Sequence, residues 1–147
     1  VKILITSDAH GRFDRLSMIQ NLHSDRDLHL DAGDLVITQR EYDQLHIEAV
    51  SGNADRFLEL PIHIVKTIDH KRFLVLHGHT ENVKYGLDKL IDLALNLKVD
   101  YVIYGHTHVQ KITNYKNIIL INPGAISNII PEYAIYEDGQ IVLKKGV

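Results

Sequence analysis

Metal-capable side chains recur along this sequence in short clusters, and each cluster follows a run of apolar residues. The clusters are Asp8–Ala9–His10, Gly33–Asp34, Gly52–Asn53, His77–Gly78–His79 and Gly105–His106–Thr107–His108. Carboxylate oxygen, amide oxygen and imidazole nitrogen are ligands that manganese, iron, nickel, cobalt and zinc accept without thiolate. The chain has no cysteine, which excludes disulfides and thiolate-bound zinc. Taken singly, Asp-x-His means little, and Gly-Asp is more often turn chemistry. What carries weight is the ordered set, with each member at the end of a predicted strand.

The elements that must position these residues follow from the apolar pattern. Val1–Ser7 is a β-branched run short enough for a buried strand, and Asp27–Ala32 and Ile47–Val50 read as further strands. Between the first two, Phe13, Leu16, Ile19 and Leu22 form one helical stripe over Phe13–Leu22. Residues 35–45 are open between loop and short helix. Leu60–Ile68 and Arg72–Leu76 read as a hairpin turning at Asp69–His70–Lys71. Val83–Leu97 predicts one amphipathic helix, with Val83, Leu87, Leu90, Ile91 and Ala94 on one face. Tyr101–Tyr104, Lys111–Tyr115, Ile118–Ile121, Tyr133–Glu137 and Gln140–Lys144 complete the strands, and Asp138–Gly139 is a two-residue hairpin signal. Strand–helix alternation followed by antiparallel strands predicts an α/β fold of two packed sheets with helices outside. Open α/β sheets bind ligands beyond the strand C-termini, so all five clusters can meet at one rim. If the backbone stays extended there, Asp8 and His10 point the same way, as do His106 and His108.

The length of 147 residues fits one domain over 1–147, with no repeat, low-complexity tract or linker. No apolar run approaches a membrane span and no signal peptide opens the chain, so a cytoplasmic protein is expected. The net charge of −3 gives no footprint for long nucleic acid. Exposed faces of the strand-rich C-terminal half leave room for a homo-oligomer. The remaining histidines, at 23, 29, 46, 63 and 70, carry no predicted catalytic role, and Asn122–Pro123–Gly124 reads as a turn.

The order Asp-x-His, Gly-Asp, Gly-Asn, His, Gly-His-x-His resembles that of the calcineurin-like metallophosphoesterases. Ser7–Gly11 (SDAHG), Ser51–Asp55 (SGNAD), His77–His79 (HGH) and Asn122–Ala125 (NPGA) look like its small bacterial and archaeal phosphodiesterase branch, of which the retromer subunit Vps29 is a structural cousin. The resemblance implies a four-layer αββα sandwich of two mixed sheets flanked by helices. It also implies two divalent metal ions, expected to be Mn²⁺, with Ni²⁺, Co²⁺, Fe²⁺ or Zn²⁺ as alternatives. Asp8, His10 and His108 would bind the first, Asn53, His77 and His106 the second, and Asp34 both. A hydroxide bridging two such ions attacks a phosphodiester without a side-chain nucleophile. The expected substrate is therefore a small phosphodiester or nucleotide-like ester.

One departure from the wider family matters. Larger relatives carry a histidine directly after the asparagine; here that position is Ala54. Its absence predicts a preference for good leaving groups, or another proton donor, for which His79 is the candidate. Arg12 is the candidate for binding a phosphate oxygen. Specificity is expected from residues 35–45 and 79–86, which include Tyr42, Tyr85 and Gly86. The competing reading is a non-catalytic interaction scaffold on the same fold; it has no need of all seven ligands.

Overall fold

In a computed structural model covering residues 1–147, the chain runs β1 (Lys2–Thr6), α1 (Phe13–Leu22), β2 (Leu28–Asp31), α2 (Gln39–Leu45), β3 (Glu48–Ala49), β4 (His63–Ile68) and β5 (Lys71–Leu76). A 3₁₀ turn (Val83–Tyr85) then precedes α3 (Asp88–Leu97), β6 (Tyr101–Ile103), β7 (Lys111–Tyr115), β8 (Ile118–Asn122), β9 (Glu132–Glu137) and β10 (Gln140–Lys145). One sheet has the order β10-β9-β1-β2-β3 and the other β4-β5-β6-β8-β7. Within the first, β1, β2 and β3 are parallel; within the second, β5, β6 and β8 are parallel. The antiparallel strands β9, β10, β4 and β7 close the edges or extend them.

Three apolar clusters separate four layers. Ile3, Ile5, Leu30, Phe73, Val75, Ile103, Ile121 and Tyr136 fill the space between the sheets. There the Phe73 ring stacks on Tyr101 at 4.6 Å and meets Tyr136 edge-on at 5.2 Å, an arrangement that favours aromatic quadrupoles. Leu16 and Ile19 of α1 and Leu45 of α2 pack on the outer face of the first sheet with Leu4 and Ile135. Leu90 and Ala94 of α3 pack on the outer face of the second with Leu74, Val102 and Leu120. The expected αββα sandwich is borne out.

Two local expectations are revised. The helix predicted over Val83–Leu97 is broken: Gly86 takes φ 136°, a conformation open to glycine, and α3 begins only at Asp88. The apolar period runs across the break because Val83 and Leu87 pack on the same sheet as α3. Residues left open between loop and helix contain α2. It is started by a capping box in which the Glu41 amide donates to Thr38 Oγ1 and the Thr38 amide to Glu41 Oε1.

Alternation along β2 sends Leu30 inward and turns His29 and Asp31 toward the helices, where both are buried. Thr6 Oγ1 lies 2.7 Å from His29 Nε2 and donates to Asp31 Oδ2 at 2.6 Å. Gln20 Nε2 lies 2.8 Å from His29 Nδ1 and donates to the Leu45 carbonyl. Asp31 Oδ1 accepts from the Gly33 amide at 2.8 Å, so this network grips the start of the Gly33–Asp34 loop. Burial pushes the Asp31 carboxyl up to about 8 and the His29 imidazole down to about 3. For Asp31 the folded state keeps a proton that the unfolded chain releases near pH 4, so its contribution to stability falls as pH rises through about 8. For His29 the sign is opposite: its contribution is complete above about pH 6.5 and is lost toward pH 3. The two slopes oppose each other below about pH 6.5; above it Asp31 acts together with the raised His10 and His77 imidazoles, whose contributions are also lost as pH rises. Urea unfolding with a chelator present should therefore show stability declining from about pH 6.5 to 8, and Asp31→Asn should make that decline shallower by removing the Asp31 share. An unchanged slope in the variant would count against a protonated Asp31.

Candidate metal centre

All five clusters lie just beyond strand C-termini: Asp8 and His10 after β1, Asp34 after β2, Asn53 after β3, His77 and His79 after β5, and His106 and His108 after β6. Backbone hydrogen bonds tie these loops together. The Asp8 amide donates to the Gly33 carbonyl at 2.9 Å, the His10 amide to Asp34 O at 2.9 Å, and the Gly105 amide to His77 O at 3.0 Å. Two links join the sheets at this rim: the His106 amide to Asp8 Oδ2 at 3.1 Å, and His77 Nδ1 to Ala32 O at 2.8 Å.

The convergence does not come from extended backbone, as the paired spacing suggested. Asp8, His10, Asp34, His106 and His108 all take positive φ, between 44° and 73°. Non-glycine residues adopt this left-handed conformation uncommonly, and it concentrates at functional sites. Each ligand pair is aimed by a bent loop instead. Two glycines are needed for close approach: a Cβ at Gly52 would collide with Asp34 Oδ1, and one at Gly105 with Ser7 Oγ and Asp8 Oδ2.

Side chains meet in two groups, Asp8 with His10 and His108, and Asp8 with Asp34 and His77; within each, the ligand atoms lie within 4.8 Å of one another. Asp8 Oδ1 is 3.2 Å from His108 Nε2, 3.6 Å from His10 Nε2 and 3.8 Å from His77 Nε2. Asp34 Oδ2 is 3.2 Å from His77 Nε2 and 3.6 Å from His10 Nε2, so it reaches a histidine of each group. The other oxygen of each carboxylate is held by the protein. Asp8 Oδ2 accepts from Ser7 Oγ and the His106 amide, and Asp34 Oδ1 accepts from the Ala54 amide at 2.8 Å.

The electrostatics match this division. Burial works to raise the Asp8 carboxyl, but His10 and His108 outweigh it and hold it well below the usual carboxylate range. Burial likewise opposes ionisation of Asp34, and His77 and the Ala54 amide overcome it. Asp8 holds the His10 imidazole above its ordinary value; at His77, Asp34 and Asp8 prevail over burial in the same direction. His106 is pushed down by burial, then by His77 and Lys84.

Asp8 Oδ1 and His77 Nε2 are buried and have no hydrogen-bond partner. Buried polar atoms are normally satisfied, so two orphans facing one another across a cluster of anions and imidazoles fit a bound cation. The Nδ1–H of His77 donates to Ala32 O, which fixes the tautomer and turns the Nε2 lone pair toward the carboxylates. The donors are oxygen and nitrogen only, as the sequence implied, and they form a dinuclear metal-binding site.

Other predicted site residues are placed as follows. The His106 ring is 5.1 Å from that of His77, though its nitrogens belong to neither group. Asn53 is exposed in the loop whose next amide holds Asp34. The His79 ring lies 5.4 Å from His77 and 6.2 Å from His106, and its Nδ1 is buried without a partner. Arg12 is engaged by Asp14 through two hydrogen bonds of 3.0 and 2.9 Å.

Two residues quoted in the sequence motifs, but given no role at the site there, shape it. Asn122 is fully buried; its amide donates to Thr107 Oγ1 at 2.9 Å and its Oδ1 accepts from the Gly124 amide, bracing the loop that carries His106 and His108. Asp55 accepts from the amides of Gly52 and Asp34 through Oδ2, both at 2.8 Å, and from Val36 through Oδ1 at 3.0 Å. It thus clamps the Gly-Asp loop to the Gly-Asn loop. Its sequence signal was its place at the end of the SGNAD motif, two residues after Asn53. Removing three charge-assisted bonds with Asp55→Ala should cost roughly 2–3 kcal/mol, measured by urea unfolding. Metal titration of the same variant should show affinity about 10–100-fold weaker, because supporting partners of ligands are lost. Unchanged affinity would remove Asp55 from any role in positioning ligands.

Comparison with known proteins accords with this geometry. Residues 1–137 match the model of the calcineurin-like phosphoesterase superfamily domain. A probable metallophosphoesterase of Mycoplasma pneumoniae is 32% identical over 128 residues, covering 85% of this chain and 79% of that protein. A structure of a protein from Streptococcus pneumoniae, described as a predicted phosphoesterase, superposes with a TM-score of 0.84 at 22% identity. It covers 98% of this chain and 87% of that one. Vps29 from Entamoeba histolytica, solved with zinc, superposes with a TM-score of 0.80 at 19% identity, covering 99% and 98%. The chain belongs to the calcineurin-like phosphoesterase superfamily.

Proposed function

We propose that this chain is a metal-dependent phosphodiesterase, one metallophosphoesterase domain over 1–147, acting on a small phosphodiester or nucleotide-like ester. The observation that carries the reading is the pair of carboxylate oxygens, Asp8 Oδ1 and Asp34 Oδ2, each facing histidines of both groups while its partner oxygen is tied to the protein. Such a pair can be shared between two cations. In the proposed ligand set, Asp8, His10 and His108 hold one, Asn53, His77 and His106 the other, and Asp34 both. Manganese is the first candidate, with nickel, cobalt, iron and zinc accepting the same donors. Two bound cations would supply Lewis acidity toward the phosphoryl oxygens and a low-pKa water.

The chain's own residues supply the rest. Asp8 and Asp34 remain ionised at neutral pH because their histidines hold them so. His79 is the candidate to protonate the leaving oxygen, since its Nδ1 is unpartnered and its ring adjoins His77 and His106. Arg12 would have to exchange Asp14 for a phosphate oxygen to bind substrate. No helix of the chain is long and apolar enough to cross a membrane; the reading carries a cytoplasmic setting with it. The net charge of −3 supports a small substrate over long nucleic acid. A non-catalytic scaffold is the other reading; likeness to Vps29 at 19% identity carries the fold alone.

Metal-stripped protein should not hydrolyse bis-p-nitrophenyl phosphate, and restored Mn²⁺ or a similar ion should return activity that Asp34→Asn abolishes. A protein that takes up no metal would favour the scaffold. General acid catalysis is worth about 10²–10⁴-fold. His79→Ala should therefore slow an alkyl phosphodiester about 10²-fold or more while sparing p-nitrophenyl esters, whose leaving group needs no proton. Equal losses on both would show that His79 is not the acid.

A further inference from the structure

A cleft of about 320 Å³ opens beside the loop that carries His106 and His108. Thr107, which lies between those two histidines, is part of its wall, as are Val109 and Lys111 from the following segment. Lys84 and Leu87, from the 3₁₀ turn and the approach to α3, form the facing side, with Tyr104 from the end of β6. The cleft is therefore built from the segments that follow His77 and His106, and the Lys84 charge is felt at His106.

Its charge sets it apart. The walls hold two lysines and no carboxylate, in a chain whose net charge is −3. The neighbouring polar cleft beyond the 3₁₀ turn carries Glu81 and Asp88, and the cleft beside β2 carries Asp27 and Glu48. Lys66, Lys2 and Lys145 are each paired with a carboxylate; Lys84 and Lys111 are not. Val83, Leu87, Tyr104 and Val109 give the rest of the lining a largely apolar character, and Val109 is left 61% exposed. Two cations among apolar lining residues suit an anionic group attached to a flat or hydrophobic body, and lysine binds phosphate as a mobile point charge. They also draw an anionic substrate toward an otherwise negatively charged molecule.

We propose that this cleft receives the substituent of the scissile phosphodiester and that Lys84 and Lys111 bind a second phosphate on that substituent. The preferred substrate is then a phosphodiester whose alcohol portion, such as a nucleoside, carries its own phosphate. The assignment rests on the phosphodiesterase reading, but its test uses binding.

Calorimetry on metal-loaded protein would compare thymidine 3′,5′-bisphosphate with thymidine 5′-phosphate. The wild type should bind the bisphosphate about tenfold more tightly, the scale of one charge-assisted contact. Lys84→Gln/Lys111→Gln should bring that ratio close to one, while Lys98→Gln, at the far end of α3, should keep it. Equal binding of both compounds by the wild type would overturn the assignment, as would a preference that survives the double substitution. Inorganic phosphate that competes with both nucleotides equally, with no preference between them, would likewise show a single anion site at the metals. If the lysine-dependent preference is found but the wild type hydrolyses no diester, the anion site stands and the phosphodiesterase reading fails.

Discussion

Two carboxylates buried within 4.8 Å of common partners repel each other unless positive charge lies between them, and this constraint organises the rest of the molecule. In Asp8 and Asp34 one oxygen is fixed by Ser7, the His106 amide or the Ala54 amide, and the other is left facing imidazoles. The protein thereby satisfies only half of each carboxylate. A cation completes the other half, which accounts for Asp8 Oδ1 and His77 Nε2 lacking hydrogen-bond partners though buried.

Holding such groups in place needs a scaffold stiffer than its loops. The parallel strands β1, β2 and β3 in one sheet and β5 and β6 in the other deliver the ligands to one rim, and the packed aromatic core around Phe73 keeps the sheets in register. The loops then absorb the strain, with Asp8, His10, Asp34, His106 and His108 at positive φ. Asp55, Asn122 and the Asp31–Thr6–His29 network lie just behind them and convert loop conformation into ligand position. Buried polar groups of this kind are costly unless paired, and here each pairing fixes a backbone amide or a hydroxyl beside a ligand.

Much of this was legible in the residues. Apolar runs of β length located nearly every strand, and α1 was found at its observed bounds, Phe13–Leu22, because three-residue spacing of Phe13, Leu16, Ile19 and Leu22 has one structural meaning. The metal-capable residues stood at strand ends, so the rim could be foreseen without coordinates. What was hidden depends on long-range contact or on dihedrals. Periodicity ran through Gly86 because both pieces of the predicted helix face one sheet, so only the backbone reveals the break. The capping box at Thr38 and Glu41 was a local signal that composition masked. Asp55 stood in the quoted SGNAD motif without a role, since its three donors come from two different loops and only the fold brings them together. Nothing in a sequence marks an aspartate or histidine for the left-handed region, so the aim of each ligand had to be seen.

The account stands or falls on whether two cations bind at the cluster around Asp8 and Asp34. Anomalous diffraction from crystals grown with Mn²⁺ tests this directly. Two peaks per chain are predicted, one against Asp8, His10 and His108 and the other against His77, with Asp34 between them. A single peak, or two peaks away from these carboxylates, would contradict it.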